Sequence, residues 1–499
     1  MADAKREIER KYESDDSGLP DLTGVGDVAA VLDKGLVELD ATYYDTADER
    51  LAAAALTLRR RTGGSDAGWH LKFPVEPGVR DEIRAPLSDT VPEEIAALVR
   101  SRVRDAALVP LVGLRSARDV RHLVDADGTL LAEASVDAVT AERLDGKGST
   151  AQWTEIEVEL ADDGDPAFLD LVEKRLRRAG VRPSKSPSKL ARALEQTGGQ
   201  RRRKDEPTPP VTAGDHVLAY LRAQRDVLVE LDPAVRRDVP DSVHRMRVAT
   251  RRARSTLRSF RSVLDRAVTD PVAAELKWLA GELGVDRDHE VMAERLTAAV
   301  KALPSHLVVG PLPERLTSWT ERRRGGAQPH LTGVLNSRRY LTLLDTLDAL
   351  LADPPLRKAA GKKPEKVLAK AMDKDLATLS ALVERAIAVP PGEARDVAVH
   401  EARKKAKRTR YAAEAATPAL GTPARSLTKA TKSLTTLLGE HQDSVMTRLT
   451  LRELSAVAHA AGESTFTYGV LYGREEARAA QAEAELPRLW KEIKSGASC

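Results

Sequence analysis

Glu7, Glu9 and Lys11 are the first residues in the chain whose types and spacing fit a specific chemistry. Successive side chains of a β-strand point to opposite faces, so these three line one face, and Ile8 and Arg10 line the other. Two carboxylates and an ammonium group in one row suit a hydrophobic core poorly, but they can hold a divalent cation beside a phosphate. The pattern also occurs by chance, so its meaning depends on matching rows elsewhere in the chain.

Further rows of charged residues follow at alternate positions. Arg59 and Arg61 share one face of a predicted strand, and a later strand carries a row of three glutamates, Glu155, Glu157 and Glu159. For a single strand, the usual explanation is an antiparallel sheet with one solvent-exposed face. Like charges on one strand repel, however, so rows of one sign favour a binding role. Acidic rows suit Mg²⁺ or Mn²⁺, and basic rows suit phosphate oxygens.

These rows must be positioned by a β-rich domain, because the chain divides into two parts with different patterns. Short alternating segments separated by turn signals predict this domain over residues 1–197. Long Ala-, Leu- and Arg-rich segments with helical periodicity predict an all-helical domain over 211–495. Between them, residues 198–210 combine Gly, charged residues and Pro, which predicts an exposed linker.

The composition narrows the class of protein. Lys and Arg number 79 and Asp and Glu 76, and this formal net charge of +3 does not indicate a globally basic nucleic-acid-binding protein. Cys499 is the single cysteine, which excludes an internal disulfide and a cysteine-rich zinc site and suits a reducing compartment. The sequence shows no signal peptide and no apolar run of about 18 residues, so we expect a cytoplasmic protein with no membrane partner.

The helical half contains an internal repeat. A histidine leads each copy, and basic residues follow it at offsets of three, seven, eight and ten. The first copy comprises His244, Arg247, Arg251, Arg252 and Arg254; the second comprises His400, Arg403, Lys407, Arg408 and Arg410, with Lys404 as a further basic residue. A Leu-Gly-x-x-x-Asp segment, interpreted as a turn, follows each copy at Leu283 and Leu438. We therefore predict two copies of one helical unit.

His244, Arg247, Arg251, Arg254 and Arg258 form a stripe along one helix, about 80° wide at 100° per residue, and His400, Arg403, Lys407 and Arg410 repeat it. The sequence has no acidic residue between Arg245 and Leu264, so the first stripe has no ion-pair partner on its own helix. A solvated charged face is one interpretation, but a duplicated and unneutralised stripe favours polyanion binding. Two roles are equally open for His244 and His400. Each histidine either caps a helix or makes a buried hydrogen bond, or it contacts the ligand directly.

The first half resembles the CYTH superfamily, the triphosphate tunnel metalloenzymes, over about residues 4–195. The resemblance rests on Glu7-Ile8-Glu9-Arg10-Lys11, Tyr43-Tyr44-Asp45-Thr46, Leu58-Arg59-Arg60-Arg61, Leu71-Lys72 and the strand with Glu155, Glu157 and Glu159. It implies an eight-stranded antiparallel β tunnel barrel that holds a triphosphate together with Mg²⁺ or Mn²⁺. The superfamily includes inorganic triphosphatases, thiamine triphosphatases and class IV adenylate cyclases.

The same resemblance implies roles for individual residues. The metal side would comprise Glu7, Glu9, Glu155, Glu157 and Glu159. The phosphate side would comprise Lys11, Arg59, Arg61, Lys72, Arg84, Arg115 and Arg121, with Lys185 and Lys189 in a basic closing segment. Catalysis would depend on Glu7, Glu9, Lys11, Arg59 and Arg61. The alternation of side chains along a strand places Arg10 and Arg60 outside the tunnel, where we expect them to be dispensable. For Asp45, a role as a loop cap and a role as a ligand are equally open.

The second half resembles the CHAD domain over about residues 211–495, including the Leu-Gly-x-x-x-Asp segments and the closing stretch from Phe466 to Gly473. This resemblance implies two four-helix units around a basic pore that binds inorganic polyphosphate. Residues of both basic series would contact the polymer: His244, Arg247, Arg251, Arg252, Arg254, His400, Arg403, Lys404, Lys407, Arg408 and Arg410.

Together these features predict an α+β multidomain protein. We expect a metal-dependent triphosphatase that acts on inorganic triphosphate or polyphosphate, in the cytoplasm or at polyphosphate granules. One alternative is a polyphosphate-binding protein without turnover, which recruits material to granules. Another is a thiamine triphosphatase or an adenylate cyclase-like enzyme. Specific nucleic-acid binding is not expected, because the basic helices lack interleaved aromatic residues for stacking on bases.

Overall fold

The computed structural model describes residues 3–14, 18–144, 146, 148–198 and 208–497, without the side chains of 3, 285–290, 321–327 and 496–497. The chain forms two compact units, Met1–Thr208 and Pro209–Cys499. Most of the predicted linker, residues 199–207, lies outside the described residues, as does Cys499.

The first unit is a closed, antiparallel, eight-stranded β-barrel, which confirms the predicted fold. Around the barrel the strands follow the order β1-β5-β4-β3-β2-β6-β7-β8, and β8 pairs with β1. The strands are β1 (Asp3–Glu13), β2 (Ala30–Asp45), β3 (Thr57–Thr62), β4 (Gly68–Glu76), β5 (Val79–Ala85), β6 (Val109–Val124), β7 (Leu130–Arg143) and β8 (Thr150–Leu160).

The hydrophobic core of this unit lies largely on the outer face of the barrel wall, under short helices. The helices of this unit are α1 (Arg50–Ala53), α2 (Glu93–Val103), α3 (Ala167–Arg178) and α4 (Lys189–Gln196), and α2 and α3 cover this outer face. Leu58, Leu71 and Ile83 pack with α2, and Ile156 and Val158 pack with α3. Each such side chain contributes about 1.5–3 kcal/mol when fully buried. Because alternate residues of these strands face outward to the helices, the inward positions remain for polar side chains.

Helix α4 packs against the inner face at one end of the barrel. Its Leu190 and Ala193 belong to one hydrophobic cluster with Tyr43, Leu114 and Trp153. The helix begins after Ser188, whose side chain accepts a hydrogen bond from the backbone N–H of Ala191, as an N-cap residue does. This end of the barrel is therefore closed by a packed helix.

The second unit is helical, as predicted. Its elements are α5 (Ala213–Arg236), α6 (Ser242–Ser259), α7 (Arg266–Glu282), α8 (Val285–Lys301), a 3₁₀ turn (Ser305–Leu307), α9 (Leu312–Asn336), α10 (Arg338–Ala352), α11 (Pro364–Ala388), α12 (Glu393–Leu420), α13 (Thr422–Ala460) and α14 (Phe466–Ala497). Among the described residues, no helix is long and apolar enough to cross a membrane.

The sequence repeat corresponds to a structural one. The two basic series lie on α6 and α12. The helix after each of them, α7 or α13, leads to a Leu-Gly pair. Leu283 and Gly284 separate α7 from α8, whereas Leu438 and Gly439 lie inside the continuous helix α13. The prediction of a turn at the second Leu-Gly pair is therefore wrong, since that helix continues through the glycine.

Candidate functional site

The strand register brings the predicted acidic and basic rows into one barrel interior. Glu9 on β1 lies opposite Glu159 on β8, and Lys11 lies opposite Glu157. On the other side of β1, Glu7 lies opposite Arg80 of β5. Residues that lie directly opposite each other share a face of the sheet, so these rows line the same inner surface.

Glu9 is held in place by a tight turn. Gly78, between β4 and β5, has φ +80°, a conformation that glycine adopts without strain. Its carbonyl accepts the backbone N–H of Glu9 at 2.9 Å, and a Cβ atom at Gly78 would fall 2.9 Å from the Glu9 carbonyl oxygen. The close approach of the two backbones fixes the Glu9 carboxylate within the interior.

Glu7 and Glu82 form a buried acidic pair at one end of the interior. Lys72 contacts the Glu7 carboxylate and lies 3.4 Å from Oε1 of Glu82, and Arg84 Nη2 lies 3.5 Å from Oε1 of Glu7. Burial raises the pKa of Glu7 to about 7; Lys72 opposes this rise, and the neighbouring Glu82 and Glu159 add to it. Glu7 therefore holds a proton near neutral pH, in a place where a cation can replace it.

The oxygen ligands at this end suit a divalent metal ion. Glu7, Glu9, Glu82 and Glu159 come from three neighbouring strands and face the same interior. Mg²⁺ and Mn²⁺ are bound through several oxygen ligands, and buried carboxylates lose their mutual repulsion when a cation binds between them. The chemistry of the donor set, four carboxylates on adjacent strands of one interior, is what supports this fit.

A second set of carboxylates lies nearer α4. Asp137, Glu155 and Glu157, which we call the acidic triad, are all buried and offer oxygen atoms within 4.8 Å of one another. Burial raises the pKa of Glu157, but Lys11, Lys189 and Arg118 outweigh burial and hold it well below its usual range. The negative charge of the triad therefore lies next to positively charged side chains of the protein itself.

Arg59, Arg61 and Arg118 face the barrel interior and influence one another electrostatically, and we call them the arginine group. Among the described residues, the buried Nε atoms of Arg59 and Arg61 have no hydrogen-bond partner. Burial lowers the pKa of Arg61 to about 9, and the charges of Arg59 and Arg118 lower it further. Arg61 also contacts Asp66. Donors that converge in this way are suited to phosphate oxygens, because guanidinium groups bind them in a fixed geometry.

Three of the predicted phosphate-side residues lie elsewhere, and these predictions are corrected. The Arg115 side chain is 81% exposed and its Nε lies 3.6 Å from Asp40, whereas Arg121 pairs with Asp33 and Asp119 on the outer face of β6. Because side chains alternate along β6, the even-numbered residues such as Arg118 face the interior and Arg115 and Arg121 face outward. The sequence alone did not show which of the two sets faces inward. Lys185 is exposed, in the loop before α4.

Arg118, which sequence reasoning missed, occupies the inward position on β6. It donates two hydrogen bonds to Asp137, at 2.7 and 2.8 Å, and one to Glu157 at 2.7 Å. Asp137 is likewise absent from the site residues predicted from the sequence. Only the strand pairing, which sets Arg118 opposite Asp137 on β7, shows that Arg118 faces the interior.

Glu82 and His70 were also missed as site residues. His70 is buried, with Nδ1 2.9 Å from Oε1 of Glu82 and Nε2 2.9 Å from the Asp66 carbonyl oxygen. Burial lowers the pKa of His70 to about 4, so the ring is neutral and orients Glu82 by hydrogen bonding. Glu82 and Arg84 alternate with apolar residues in the sequence, and this pattern could have indicated that they share a face. Glu82 is the more buried of the two.

The residues predicted to face away from the tunnel do so. Arg10 binds Asp170 and Glu173 on α3, and Arg60 donates to the Ser88 carbonyl at 2.9 Å. Asp45 is fully buried and accepts the backbone N–H groups of Thr46 in the following loop and of Leu51 and Ala52 in α1, so it is a cap of this loop and helix.

In the helical unit, the two basic stripes meet. Burial lowers the pKa of Lys407 on α12 to about 7, and the charges of Arg403, Arg251 and Arg410 lower it further. Arg251 lies on α6, so residues of both sequence copies share one electrostatic environment. Burial, together with Arg258 and Arg251, also lowers the pKa of Arg254. We call Arg251, Arg254, Arg403 and Lys407 the basic cluster.

The Leu-Gly pairs make room for arginines of this region. A Cβ atom at Gly284 would fall 2.7 Å from Nη2 of Arg247, and one at Gly439 would fall 3.5 Å from Nη2 of Arg403. The two arginines occupy equivalent positions in the repeat, three residues after each histidine. Among the described residues, the buried Nε of Arg403 has no hydrogen-bond partner.

Other basic residues of the two series are neutralised or exposed. Arg252 and Arg410 pair with Glu414 at 2.9 and 3.3 Å, and Arg408 pairs with Asp375 at 2.7 Å. The remaining members differ in environment: Lys404 contacts Glu401 at the surface, His244 is exposed, and His400 Nδ1 lies 2.6 Å from Oε1 of Gln442.

Comparisons with known proteins identify both units. The family model described as CYTH domain matches residues 5–194, and the model described as CHAD domain matches residues 219–452. A protein of Mycobacterium tuberculosis strain H37Rv, described as uncharacterized, is 38% identical over 508 residues, which cover 98% of this chain and 97% of the relative.

Solved structures with similarity include proteins of both types. PptA from Streptomyces chartreusis is 23% identical and matches 57% of this chain and 100% of its own, with a TM-score of 0.46. The CHAD domain from the plant Ricinus communis is 23% identical, with coverages of 58% and 93% and a TM-score of 0.44. A Hippeastrum protein described as having a dominant triphosphatase activity is 19% identical, with coverages of 39% and 96% and a TM-score of 0.23.

CYTH domains are metal-dependent, and their family includes triphosphatases and cyclases. The 38% identity over nearly the whole of both chains agrees with the two domain matches. The chain therefore belongs to the CYTH family through its β-barrel unit and to the CHAD family through its helical unit.

Proposed function

We propose that the barrel hydrolyses the terminal phosphoanhydride bond of inorganic triphosphate or of polyphosphate with the help of Mg²⁺ or Mn²⁺. The observation that carries this proposal is the arginine group, whose Arg59 and Arg61 keep buried Nε donors without partners among the described residues. Such donors cost free energy unless a ligand accepts their hydrogen bonds, and phosphate oxygens do so well.

The mechanism follows from the residues on the two sides of the interior. Glu7, Glu9, Glu82 and Glu159 would hold the metal, which supplies Lewis-acid stabilisation of the phosphoryl oxygens. Arg59 and Arg61 would bind the oxygens of the polyanion and stabilise the charge that develops during in-line attack by water, and Arg118 would hold the carboxylates of Asp137 and Glu157 in position. Lys72, whose ammonium group contacts Glu7, would be a further cation for a phosphate oxygen.

The decisive experiment measures phosphate release in Mg²⁺ or Mn²⁺ from four substrates: inorganic triphosphate, long-chain polyphosphate, ATP and thiamine triphosphate. We expect release from triphosphate or polyphosphate that stops when the metal is chelated. Turnover of thiamine triphosphate alone, or conversion of ATP to a cyclic nucleotide and pyrophosphate, followed separately by chromatography of the nucleotides, would instead support the nucleotide-enzyme alternative. No turnover of any of the four would reject hydrolysis and leave a binding protein.

We further propose that the helical unit binds inorganic polyphosphate through the basic cluster. The carrying observation is that basic residues of α6 and α12 converge on the mostly buried Lys407, whose pKa is lowered first by burial and then by the charges of Arg403, Arg251 and Arg410. A polymer of phosphates would relieve the repulsion among these charges along its length without any contact to a base. Such binding would be strongly salt-dependent, because each neutralised charge releases counterions. Association with polyphosphate granules would follow from the same affinity.

Charge reversal tests this part of the proposal. Arg251→Glu combined with Lys407→Glu should weaken polyphosphate binding and flatten its dependence on salt, because two phosphate-facing charges change sign. Lys404→Glu is the matched control, since Lys404 is exposed and already contacts Glu401. Equal loss in the control and in the double variant would point to a general charge effect, and unchanged binding in the double variant would reject the role of the basic cluster.

A further inference from the structure

Asp66, in the loop between β3 and β4, places its carboxylate against the guanidinium group of Arg61. Its Oδ2 contacts Nη2 of Arg61, whose side chain is 8% exposed, whereas that of Asp66 is 28% exposed. Among the described residues, the buried Nε of Arg61 has no hydrogen-bond partner. The guanidinium group therefore gives one of its nitrogen donors to a carboxylate of the protein and keeps another for a ligand.

The loop, residues 63–67, is folded toward the barrel interior. A Cβ atom at Gly64 would fall 3.0 Å from Cδ2 of Leu39 on β2. Leu39 shares a face of its strand with Ala41, which lies opposite Arg61, so this face is the inner one. The loop therefore packs against an inward-facing side chain on the strand next to Arg61.

The backbone of the loop is anchored at both ends, whereas the Asp66 carboxylate has room to move. At the first end, a Cβ atom at Gly63 would clash with the carbonyl oxygen of Glu38, so the two backbones are in close contact. At the other end, the carbonyl oxygen of Asp66 lies 2.9 Å from Nε2 of His70. The residues on both sides of Asp66 are exposed, so its carboxylate can rotate into solvent while the backbone stays in place.

Asp66 differs in this respect from Glu82, another carboxylate whose charge acts on Arg61. The Glu82 side chain is fully buried and contacts Arg84, and its Oε1 lies 3.9 Å from Nη2 of Arg59. A carboxylate and a phosphate oxygen compete for the same donors, because a guanidinium group binds both through charge-assisted hydrogen bonds. A phosphate group that reaches Arg61 can therefore displace Asp66, which has a path into solvent, but not Glu82.

We propose that Asp66 is an internal anion that occupies Arg61 until a phosphate group of the substrate displaces it, and that it thereby sets the affinity of the barrel for triphosphate. This inference rests on the proposed phosphate-binding role of Arg61. It makes Asp66 a specificity-determining residue that opposes every anion reaching Arg61 and does not itself touch the reacting atoms.

The test measures binding of imidotriphosphate, a triphosphate analogue whose P–N–P bridges resist hydrolysis, to the full-length chain in Mg²⁺ by isothermal titration calorimetry. Asp66→Asn keeps the size of the side chain and removes its charge, and we expect the affinity to rise about tenfold. Asp89→Asn is the matched control, because Asp89 is exposed, with Oδ1 3.9 Å from Nη2 of Arg60 outside the barrel, and its affinity should not change.

The gain must depend on Arg61. Arg61→Ala measures the binding that remains in the helical unit, which is identical in all variants, and adding Asp66→Asn to it should change the affinity by less than about twofold. A gain of the same size without Arg61 would reveal a general charge effect and overturn the inference. Asp66→Ala is the second variant, since asparagine can still accept a hydrogen bond from Arg61, and it too should bind more tightly.

The possible results separate this role from the proposed activity. Binding that depends on Arg61 but is unchanged in both Asp66 variants would overturn the inference and keep the proposed activity. A gain in affinity without any release of phosphate from triphosphate would keep the role of Asp66 and reject only hydrolysis. Binding that Arg61→Ala leaves unchanged would overturn the inference together with the phosphate-binding role of Arg61.

Discussion

Arg115 and Arg118 lie three residues apart on β6 and on opposite faces of the barrel wall. Arg115 is exposed to solvent beside Asp40, whereas Arg118 is mostly buried and joins Asp137 to Glu157 across β7 and β8. The same residue type thus serves two environments on one strand, because an odd separation along a strand reverses the direction of the side chain.

Arg118→Met should therefore reduce triphosphate hydrolysis by about tenfold or more, since it removes the guanidinium that positions the buried carboxylates of Asp137 and Glu157. Arg115→Met is the matched control and should leave kcat/KM within about twofold. Both are measured by phosphate release at saturating metal, with circular dichroism to confirm the fold. A larger loss in the Arg115 variant would contradict the inward assignment of Arg118.

Arg61 and Arg60 offer a second matched pair on β3. Arg61→Ala should abolish turnover, because its guanidinium belongs to the arginine group, while Arg60→Ala should keep it, because Arg60 binds the Ser88 carbonyl outside the barrel. Glu9→Gln should also abolish turnover with the fold intact, since it removes a metal ligand without changing the size of the side chain. Full activity in either the Arg61 or the Glu9 variant would show that the tunnel assignment is wrong.

Lys407 should make polyphosphate binding dependent on pH. Its folded-state pKa is about 7, so the free protein must take up a proton to present this charge above pH 7. Affinity should fall as the pH rises from 7 to 9, and Lys407→Met should lose about tenfold in affinity at pH 6 and show a flatter profile. Titrations at constant ionic strength measure both effects, and an equally steep profile in the variant would exclude Lys407 as the titrating group.

The same residue should show a trade-off with stability. The folded-state pKa lies below the ordinary value of 10.5, so the protonated lysine destabilises the fold fully below pH 7, and this penalty disappears as the pH rises toward 10.5. Lys407→Met should therefore raise the melting temperature more at pH 6 than at pH 9. A melting temperature that falls at pH 6 would contradict the repulsion inferred for the basic cluster.

Gly284 should be required for the position of Arg247. A Cβ atom there would fall 2.7 Å from Nη2 of Arg247, so Gly284→Ala should displace the guanidinium and weaken polyphosphate binding. Gly281→Ala is the control: no atom lies within 4 Å of its Cβ position among the described residues, and it should stabilise α7 by about 0.5–1 kcal/mol without changing affinity. Equal affinity in the two variants would remove Gly284 from a binding role.

The predictions from the sequence succeeded where a local pattern carries the information. The alternating rows from Glu7 and from Glu155 face the interior because strand periodicity fixes which residues share a face. The order of these motifs along the chain sufficed for the resemblance to the CYTH and CHAD families, and the structure confirms the barrel and the helical unit. The position of Arg10 and Arg60 on the outer face follows from the same parity.

Periodicity does not reveal which of the two faces of a strand is the inner one when both carry polar residues. On β6 this choice was wrong for Arg115 and Arg121 and left out Arg118, because the pairing of β6 with β7 decides it. Likewise, only the packing of α4 brought Lys189 onto the acidic triad while Lys185, four residues earlier, is exposed.

The sequence by itself determined the residue types, their periodicity and the repeat of two basic helices. The tertiary structure decided which charges meet: Glu7 with Glu82, Lys189 with the acidic triad, and Arg251 of one copy with Lys407 of the other. The physical reason is that electrostatic interactions depend on distance and burial, and both are set by pairings between residues far apart in the chain.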